Sequence, residues 1–398
     1  MSSETNNVIL DSKIIAVDKL DGLTCYHYDE VNVLSPNDIK QYRGIIKEDD
    51  TDNIVCKTFG FTPEFGANDT ENLKTYLEPM LSNSDVIMMP AFEGCLIRRF
   101  YHNNNWYVST HKKIDAHTSK WGCEKSFGEL FVDAFLKFSD NKSFDCDFYN
   151  NKDYVYVYLL KNYISNRIVC VAGEKPELQF IVRINKIDNT NEFSNYHEKI
   201  ITNDNQMTLE NVNELISKVD ITTSQGLMFI NTKTLESVKV IKDDYIFYAL
   251  LRGNQPNILY RYIELQKGGE TKNVEYFFNL YPEKRDDFVN FHQVIQDICV
   301  NIYRKYRNRY VRKQVAIAPQ EQFYIMKELH ENFINSEKQD IITQDKVNNY
   351  VQSLPPARVL YLYTSYMNRK RVTGHGNKVT TDDKEKIVSC IYKDDLQE

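Results

Sequence analysis

The sequence predicts an α+β fold in which a region of short strands precedes a region of helices. Between residues 14 and 265, β-branched and aromatic residues form short runs bounded by Gly, Asp and Asn, as expected of strands. From residue 286 onward, apolar residues recur at helical spacing. The polar stretch 266–273 separates the two patterns. We therefore expect a first domain over residues 1–268 and an all-α domain over residues 274–398.

Composition places the chain among packed globular proteins. Its 398 residues suffice for roughly two to three domains, and its 27 Tyr and 21 Phe argue against disorder. With a net charge of −7, contact with nucleic acid has to depend on a local basic patch. The cysteines lack the spacing of zinc knuckles, and no apolar run is long enough to span a membrane. These features predict a soluble protein of the cytoplasm or another intracellular compartment, with reduced thiols and no membrane partner.

The predicted elements follow from local patterns. Strands are predicted at 14–17, 23–28, 44–47, 54–59, 95–101, 106–110, 154–160, 166–171, 178–184, 225–230, 237–242 and 259–265. Helices are predicted at 71–81, 127–138, 209–219, 286–313, 321–333, 343–353 and 358–369. Segment 166–171 is the expected partner of strand 154–160. The apolar run 86–89 is expected to enter a turn at Pro90.

The stretch from Asp85 to Phe131 organises the strand-rich region. Glu93 and Gly94 open a strand whose hairpin turn, at 102–105, contains three asparagines, and asparagine tolerates the left-handed backbone of tight turns. Lys112 and Lys113 follow the hairpin. A carboxylate and a glycine, then a hairpin and paired lysines, favour a nucleotide pocket.

Five segments of the first 265 residues occur in a characteristic order. They are Arg43-Gly44-Ile45 with 54–59, Ala91-Phe92-Glu93-Gly94 with its strand, 158–160 followed by 166–169, Gln225-Gly226-Leu227, and 238–245. In this order they resemble the motifs of the RNA ligase family of bacteriophage tRNA-repair type. More broadly, they resemble the covalent nucleotidyltransferases, which include DNA ligases and capping enzymes.

The resemblance implies a nucleotidyltransferase domain of the ATP-grasp-like ligase kind, with antiparallel sheets flanking a cleft, ahead of the all-α domain. It implies catalytic roles for Lys239 and Lys242 at the transferring phosphate. RNA and a nucleotide are the implied partners, ATP and Mg²⁺ are the cofactors if the chain is active, and large DNA viruses carry such proteins, which would place it in the host cytoplasm. The residues implied in nucleotide binding are Arg43, Lys57, Glu93, Gly94, Lys112, Lys113, Arg167, Gln225 and Gly226.

The sequence departs from the family where the chemistry is most demanding. Ala91 stands at the position of the lysine that attacks the α-phosphorus, and no other side chain in that place substitutes silently. Leu159 or Leu160 and Gln225 replace two carboxylates that hold a metal. Ile241 replaces one of two lysines, unless Lys242 takes its place. These changes together indicate a lost step, and the metal ligands cannot be assigned.

A second assignment is also consistent with the sequence. Lys19-Leu20-Asp21-Gly22 matches the lysine motif letter for letter. With Lys19 as nucleophile, Glu93 would serve as the third-motif carboxylate. The ordinary interpretation of this segment is a charged turn, because Asp-Gly is a common turn pair.

The helical region has one basic cluster, in a stretch (301–313) that contains three tyrosines and no acidic residue. Its cations are Arg304, Lys305, Arg307, Arg309, Arg312 and Lys313. Cations neutralise phosphates and tyrosine rings stack on unpaired bases, a combination suited to RNA. The alternative is a helix with its tyrosines packed inward and its cations solvated.

Taken together, these features predict a divergent RNA-ligase-like protein that binds a nucleotide or RNA ends and does not adenylylate itself. One alternative is an active ATP-dependent RNA ligase or guanylyltransferase that uses Lys19. The other is a non-catalytic structural or interaction subunit.

Overall fold

A computed structural model describes residues 13–139, 146–161, 163, 167–171, 173–194, 198–199, 201–202 and 205–373. The chain divides into two compact units, Met1–Leu250 and Leu251–Glu398. The first unit is α+β with mainly antiparallel sheets, and the second is helical where it is described. The division falls before the polar stretch 266–273, because the segment preceding that stretch is a helix of the second unit.

The strands of the first unit follow one another in short runs. They are β1 Ile14–Leu20, β2 Leu23–Tyr28, β3 Arg43–Glu48, β4 Ile54–Cys56, β5 Glu64–Gly66, β6 Val86–Ala91, β7 Gly94–His102, β8 Asn105–Ser109, β9 Tyr154–Lys161, β10 Glu177–Asn185, β11 Asn191–Phe193, β12 Glu198–Lys199, β13 Ile201–Thr202, β14 Asn205–Gln206, β15 Gly226–Asn231 and β16 Ser237–Ile241.

The helices of both units are mostly amphipathic. They are α1 Asn37–Lys40, α2 Thr70–Asn72, α3 Glu78–Leu81, α4 Phe127–Ser139, α5 Cys146–Tyr149, α6 Leu209–Ser217, α7 Asp243–Arg252, α8 Ile258–Lys267, α9 Thr271–Leu280, α10 Arg285–Tyr306, α11 Gln320–Asn335, α12 Gln344–Ser353 and α13 Pro356–Thr373. The π-helical segment Leu73–Leu77 joins α2 to α3, and Arg307–Val311 extends α10 in the same way. Two short 3₁₀ turns lie at Ala116–Thr118 and Pro282–Lys284.

Within the described residues, the first unit contains three larger sheets and the two-stranded sheet β13-β14. The N-terminal sheet has the order β1-β2-β3-β4, the second β11-β10-β9-β7-β8, and the third β12-β6-β15-β16-β5. Strand β9 is central in the second sheet, which explains why its alternating Tyr and Val residues are buried on both faces. In the third sheet β5 pairs in parallel with β16, and the other pairs are antiparallel.

The core lies where the three sheets meet. Cys25 and Ile46 of the first sheet, Val157 of the second and Met89 and Ile230 of the third belong to one buried cluster. A second cluster packs α4 against the other face of the second sheet. A third packs α6 and the helical segment 70–81 against the other face of the third sheet. Each sheet is therefore held by apolar contacts.

Several sequence predictions are confirmed. The hairpin has a two-residue turn in which Asn103 and Asn104 have φ values of 44° and 64°, as expected of asparagines in this turn. The strands at 23–28, 154–160, 178–184 and 237–242 match the observed ones within about two residues. The helices at 127–138, 209–219 and 286–313 also form.

Other predictions are wrong. The chain does not turn at Pro90, because β6 continues through it to Ala91. The described residues of 166–171 form no strand, and β9 pairs with β7 and β10 instead. Segment 259–265 lies within helix α8, whose first turn is capped by the side chain of Asn257. The apolar stretch 387–392 lies outside the described residues.

Candidate nucleotide site

A cavity of about 290 Å³ lies in the first unit, between the second and third sheets. Its wall includes the end of β6 at Ala91 and the start of β7 at Gly94. Position 94 has room only for glycine, because a Cβ atom there would lie 2.5 Å from the carbonyl oxygen of Leu160. The link between two sheets therefore passes along the cavity, and Ala91 is part of the cavity wall.

Ala91 lies in this wall, at the end of β6. The carbonyl oxygen of Ala91 accepts a hydrogen bond of 2.7 Å from the backbone N–H of Gln225, which anchors the end of β6 to the start of β15. Ala91 is 4% exposed. Of the two leucines predicted at a carboxylate position, Leu159 lines the same cavity. A methyl group and an isobutyl group supply neither a nucleophile nor a metal ligand.

Gln225 and Lys239 meet across the cavity. The ammonium group of Lys239 donates to the side-chain oxygen of Gln225 at 3.3 Å and forms an ion pair with Glu64. Gln225 also donates from its amide to the carbonyl oxygen of Phe92 at 3.3 Å. The pair Lys239–Glu64 is fixed by register, since these residues are direct partners on β16 and β5. Glu64 was not identified from the sequence, where it is merely one charged residue beside a short strand.

Arg43 and His111 form the polar side of the cavity. Arg43 donates to the carbonyl oxygen of Gly60 at 3.2 Å and to the hydroxyl of Thr62 at 3.3 Å. Burial, and then the nearby guanidinium groups of Arg43 and Arg98, hold the pKa of His111 well below its usual value. Its Nε2 atom is buried and has no hydrogen-bond partner among the described residues. His111 was not identified as a site residue from the sequence.

Glu93 has a different environment from the residues of the cavity wall. Its carboxylate accepts hydrogen bonds from the backbone N–H groups of Ile168, Val169 and Cys170, at 2.9, 2.5 and 2.8 Å. The hydroxyl of Tyr245 donates to the same carboxylate at 2.9 Å. Glu93 is 4% exposed, so its carboxylate accepts hydrogen bonds from groups of the protein itself. We call this arrangement the Glu93 clamp.

Two further predicted residues are engaged within the protein. Arg167 is buried and donates to the carbonyl oxygen of Val169 at 3.1 Å. Gly226 lies against β16, where an added Cβ would be 2.0 Å from the carbonyl oxygen of Val240. Neither residue belongs to the cavity wall.

The remaining predicted lysines lie elsewhere in the first unit. Lys242 donates to the carbonyl oxygens of Ser217 and Val219, at 3.1 and 2.7 Å, and so does not replace Ile241 at the cavity. Lys113 pairs with Asp18 at 3.0 Å, and its neighbour Lys112 is exposed.

Lys57 and Lys19 also lie outside the cavity. Lys57 donates to Gln41 at 2.7 Å and lines a separate cavity of about 280 Å³. Lys19 is exposed on β1, at the edge of the N-terminal sheet. It is not part of the wall that carries Gln225 and Lys239.

The basic cluster lies at the end of α10 and in its extension. Arg304, Arg307, Arg309, Arg312 and Lys313 are exposed, whereas Lys305 is partly buried and donates to Gln322. Tyr306 is 3% exposed, and Tyr310 stacks on His330 with ring centroids 3.9 Å apart. The cations are thus available to a partner, while these two rings are occupied by the protein.

The described residues contain neither a cluster suited to a metal ion nor a helix suited to a membrane. Within them, no group of three or more His, Cys, Asp or Glu residues is placed to hold a metal ion. None of the helices in the described part of the chain is both long and apolar enough to cross a membrane.

Comparisons with known proteins give viral relatives. No protein-family model matches the chain. It is 30% identical over 283 residues to an immediate-early protein ICP-46 homolog of Invertebrate iridescent virus 6, an alignment that covers 66% of this chain and 62% of the relative. The homolog of Invertebrate iridescent virus 3 is 26% identical over 73% of this chain and 64% of its own length. The chain therefore spans somewhat over three fifths of these relatives.

Solved structures with some similarity are ligases. A putative ATP-dependent DNA ligase from Aquifex aeolicus has a TM-score of 0.36 and 13% identity, over 71% of this chain and 76% of that one. An archaeal ATP-dependent RNA ligase has a TM-score of 0.36 and 8% identity, over 95% of this chain and 83% of that one. A Naegleria gruberi RNA ligase has a TM-score of 0.31 and 11% identity, over 48% of this chain and 58% of that one. Similarity of this extent carries no argument about activity.

Proposed function

We propose that this chain is a divergent RNA-ligase-like protein whose cavity binds a nucleotide or an RNA end without forming a lysyl-nucleotide. The observation that carries the proposal is the location of Ala91. It lies in the cavity wall together with Arg43, Gln225 and Lys239, at the position where the ligase motif requires the attacking amine. The groups suited to binding a nucleotide are retained, and the group suited to attacking one is replaced by a methyl group.

The donor groups of the cavity do not fit a catalytic Mg²⁺ ion, which prefers carboxylate oxygens. Leu159 offers no oxygen, and the side-chain oxygen of Gln225 already accepts from Lys239. The one carboxylate among the described wall residues belongs to Glu64, which is ion-paired to Lys239. The proposed function therefore uses no metal ion bound in this cavity.

A ligase-like site without the lysine retains one useful activity. Sealing a 5′-adenylylated RNA to a 3′-hydroxyl needs two ends held in line and charge stabilisation, but no attack by an amine. Arg43 is the cation of the cavity without an ion-pair partner among the described residues, and it would supply the charge at the adenylyl phosphate. The exposed cations of the basic cluster would hold the RNA strand through its phosphates.

Covalent labelling tests the proposal. The native chain is incubated with α-labelled ATP or GTP and Mg²⁺, and no labelled protein is expected, because position 91 itself carries no amine. A labelled adduct that maps to Lys19 and disappears in Lys19→Ala would establish the alternative of an active ligase or guanylyltransferase.

Sealing of a pre-adenylylated RNA separates the remaining possibilities. The native chain is expected to join a 5′-adenylylated RNA to an acceptor strand, and Arg43→Met is expected to abolish the joining. Lys242→Met is the matched control, because that lysine is bonded to backbone carbonyls outside the cavity. A chain that neither joins these ends nor binds any nucleotide is a structural or interaction subunit.

A further inference from the structure

The two cations of the cavity wall differ in whether a carboxylate neutralises them. Lys239 is 15% exposed in its side chain and is neutralised by Glu64, which is 50% exposed. Arg43 hydrogen-bonds a carbonyl and a hydroxyl group and has no ion-pair partner among the described residues. His111 adds no charge near neutral pH because its pKa is held well below its usual value by burial. One uncompensated cation therefore remains for a ligand.

Most of the wall facing these charges is apolar. Met89, Leu159, Ile181, Met228 and Ile230 contribute to it. The volume of about 290 Å³ lies at the lower end of the range for small-molecule sites. Apolar side chains suit the faces of a nucleobase, and they offer nothing to a chain of phosphates, whose desolvation would be uncompensated.

One polar atom is available to the neutral part of a ligand. The Nε2 atom of His111 is buried without a partner among the described residues, and such an atom in a cavity calls for a hydrogen bond from a ligand or water. Gln225, by contrast, uses both ends of its amide within the protein. His111 therefore provides a hydrogen bond to a base or a ribose, and Arg43 provides charge for a phosphate.

From this arrangement we infer that the cavity selects a nucleoside monophosphate unit over a nucleoside triphosphate, with Glu64 as the residue that discriminates between them. The inference rests on the proposed function, which it narrows to a substrate class. The Glu64 carboxylate already forms an ion pair with Lys239, the cation that a second phosphate would need. A triphosphate must displace it and then lie beside an unpaired negative charge, which repels it.

Equilibrium binding in buffer containing EDTA tests the inference. Affinities of the native chain are measured for the four ribonucleosides, their monophosphates and their triphosphates, so that the base preference need not be known beforehand. We expect the best monophosphate to bind at least about tenfold more tightly than its triphosphate and its nucleoside. Replacing Glu64 by Gln is expected to reduce the preference over the triphosphate by about fivefold to tenfold.

Glu236→Gln is the matched control. It removes one negative charge three residues from Lys239 in sequence, but Glu236 is exposed and does not belong to the wall of this cavity. The ratio of the two affinities is expected to stay as in the native chain. A general effect of net charge would change it as much as Glu64→Gln does, and that result would overturn the inference.

Other outcomes are equally decisive. A native chain that binds a triphosphate as tightly as its monophosphate contradicts the inference and leaves the proposed function standing. A native chain that binds none of the twelve ligands contradicts both. Competition by a short RNA with a 5′-phosphate, compared with the same RNA bearing a 5′-hydroxyl, identifies the source of the monophosphate. Stronger competition by the phosphorylated strand supports an RNA end, and equal competition supports a free nucleotide.

Discussion

The Glu93 clamp and the cavity wall beside it arise from one short stretch of sequence and differ in every physical respect. In the clamp, a buried carboxylate is satisfied by three backbone donors and one phenol. In the wall, Ala91 lies two residues away and offers only a methyl group to the cavity. One short stretch of sequence therefore contains a carboxylate committed to holding the fold and, two residues before it, a wall position without a reactive group.

The largest expected effect comes from breaking the clamp. Glu93→Gln replaces one accepting oxygen by an amide that faces N–H donors, so buried donors lose their partner. We expect the free energy of unfolding to fall by about 3–5 kcal/mol, measured by chemical denaturation. Glu64→Gln is the matched control, because its carboxylate is half exposed and its ion pair is worth less than about 1 kcal/mol. Equal losses in the two variants would mean that the clamp is not structural.

Acidification is expected to destabilise the helical unit by a comparable amount. Burial lowers the pKa of His292 to about 4, below its usual value of about 6.5 in the unfolded chain. The unfolded state therefore binds the proton first, and stability falls as the pH drops from about 6.5 to 4. The loss is about 3 kcal/mol, measured as the unfolding free energy against pH. His292→Gln should flatten this part of the profile, and an unchanged slope would contradict the assignment.

Removing the phenol of the clamp is expected to have a smaller effect. Tyr245→Phe deletes one hydrogen bond to a charged acceptor and should cost about 1.5–3 kcal/mol. Burial and the Glu93 carboxylate raise the pKa of Tyr245, so the hydroxyl stays protonated and donates across the ordinary pH range. The double variant with Glu93→Gln measures the coupling, which should exceed about 0.5 kcal/mol. Strict additivity would show that the two groups act independently.

The smallest effect is expected in the basic cluster. Single alanine replacements of Arg304, Arg307 or Arg309 should each weaken RNA binding modestly. Each should also reduce the slope of log affinity against log salt by about 1, measured by titration at several salt concentrations. Lys272→Ala, an exposed cation of α9 outside the cluster, is the control. A native chain without salt-dependent RNA binding would show that these cations are merely solvated.

Local patterns predicted much of the fold. Strand β9 was predicted because alternating Tyr and Val residues favour a strand. The hairpin was predicted because asparagines readily adopt the left-handed backbone of a tight turn. Helix α8 was mistaken for a strand because 259–265 contains the strand-favouring residues Tyr260, Tyr262 and Ile263. Its helical state depends on the cap at Asn257 and on burial of Ile258 and Tyr262.

The candidate site was less accessible to prediction. Ala91, Gln225 and Lys239 were predicted from a motif order, and they line one cavity. Glu64 and His111 were missed because their importance arises from strand pairing and burial, which bring distant segments together. Segment 166–171 was predicted as a strand from its β-branched residues, whereas its N–H groups are bound by the carboxylate of Glu93. No local pattern records a partner that lies 75 residues or more away.

The central claim is that the cavity accepts a nucleotide and lacks only the groups that attack it. Its most direct test is covalent labelling by α-labelled ATP and Mg²⁺ of the native chain and of a variant that combines Ala91→Lys, Leu159→Glu and Gln225→Glu. We expect no adduct on the native chain and an adduct at position 91 of the variant. Circular dichroism checks that the variant is folded. An adduct on the native chain, or a folded variant that remains unlabelled and binds no nucleotide, would contradict the claim.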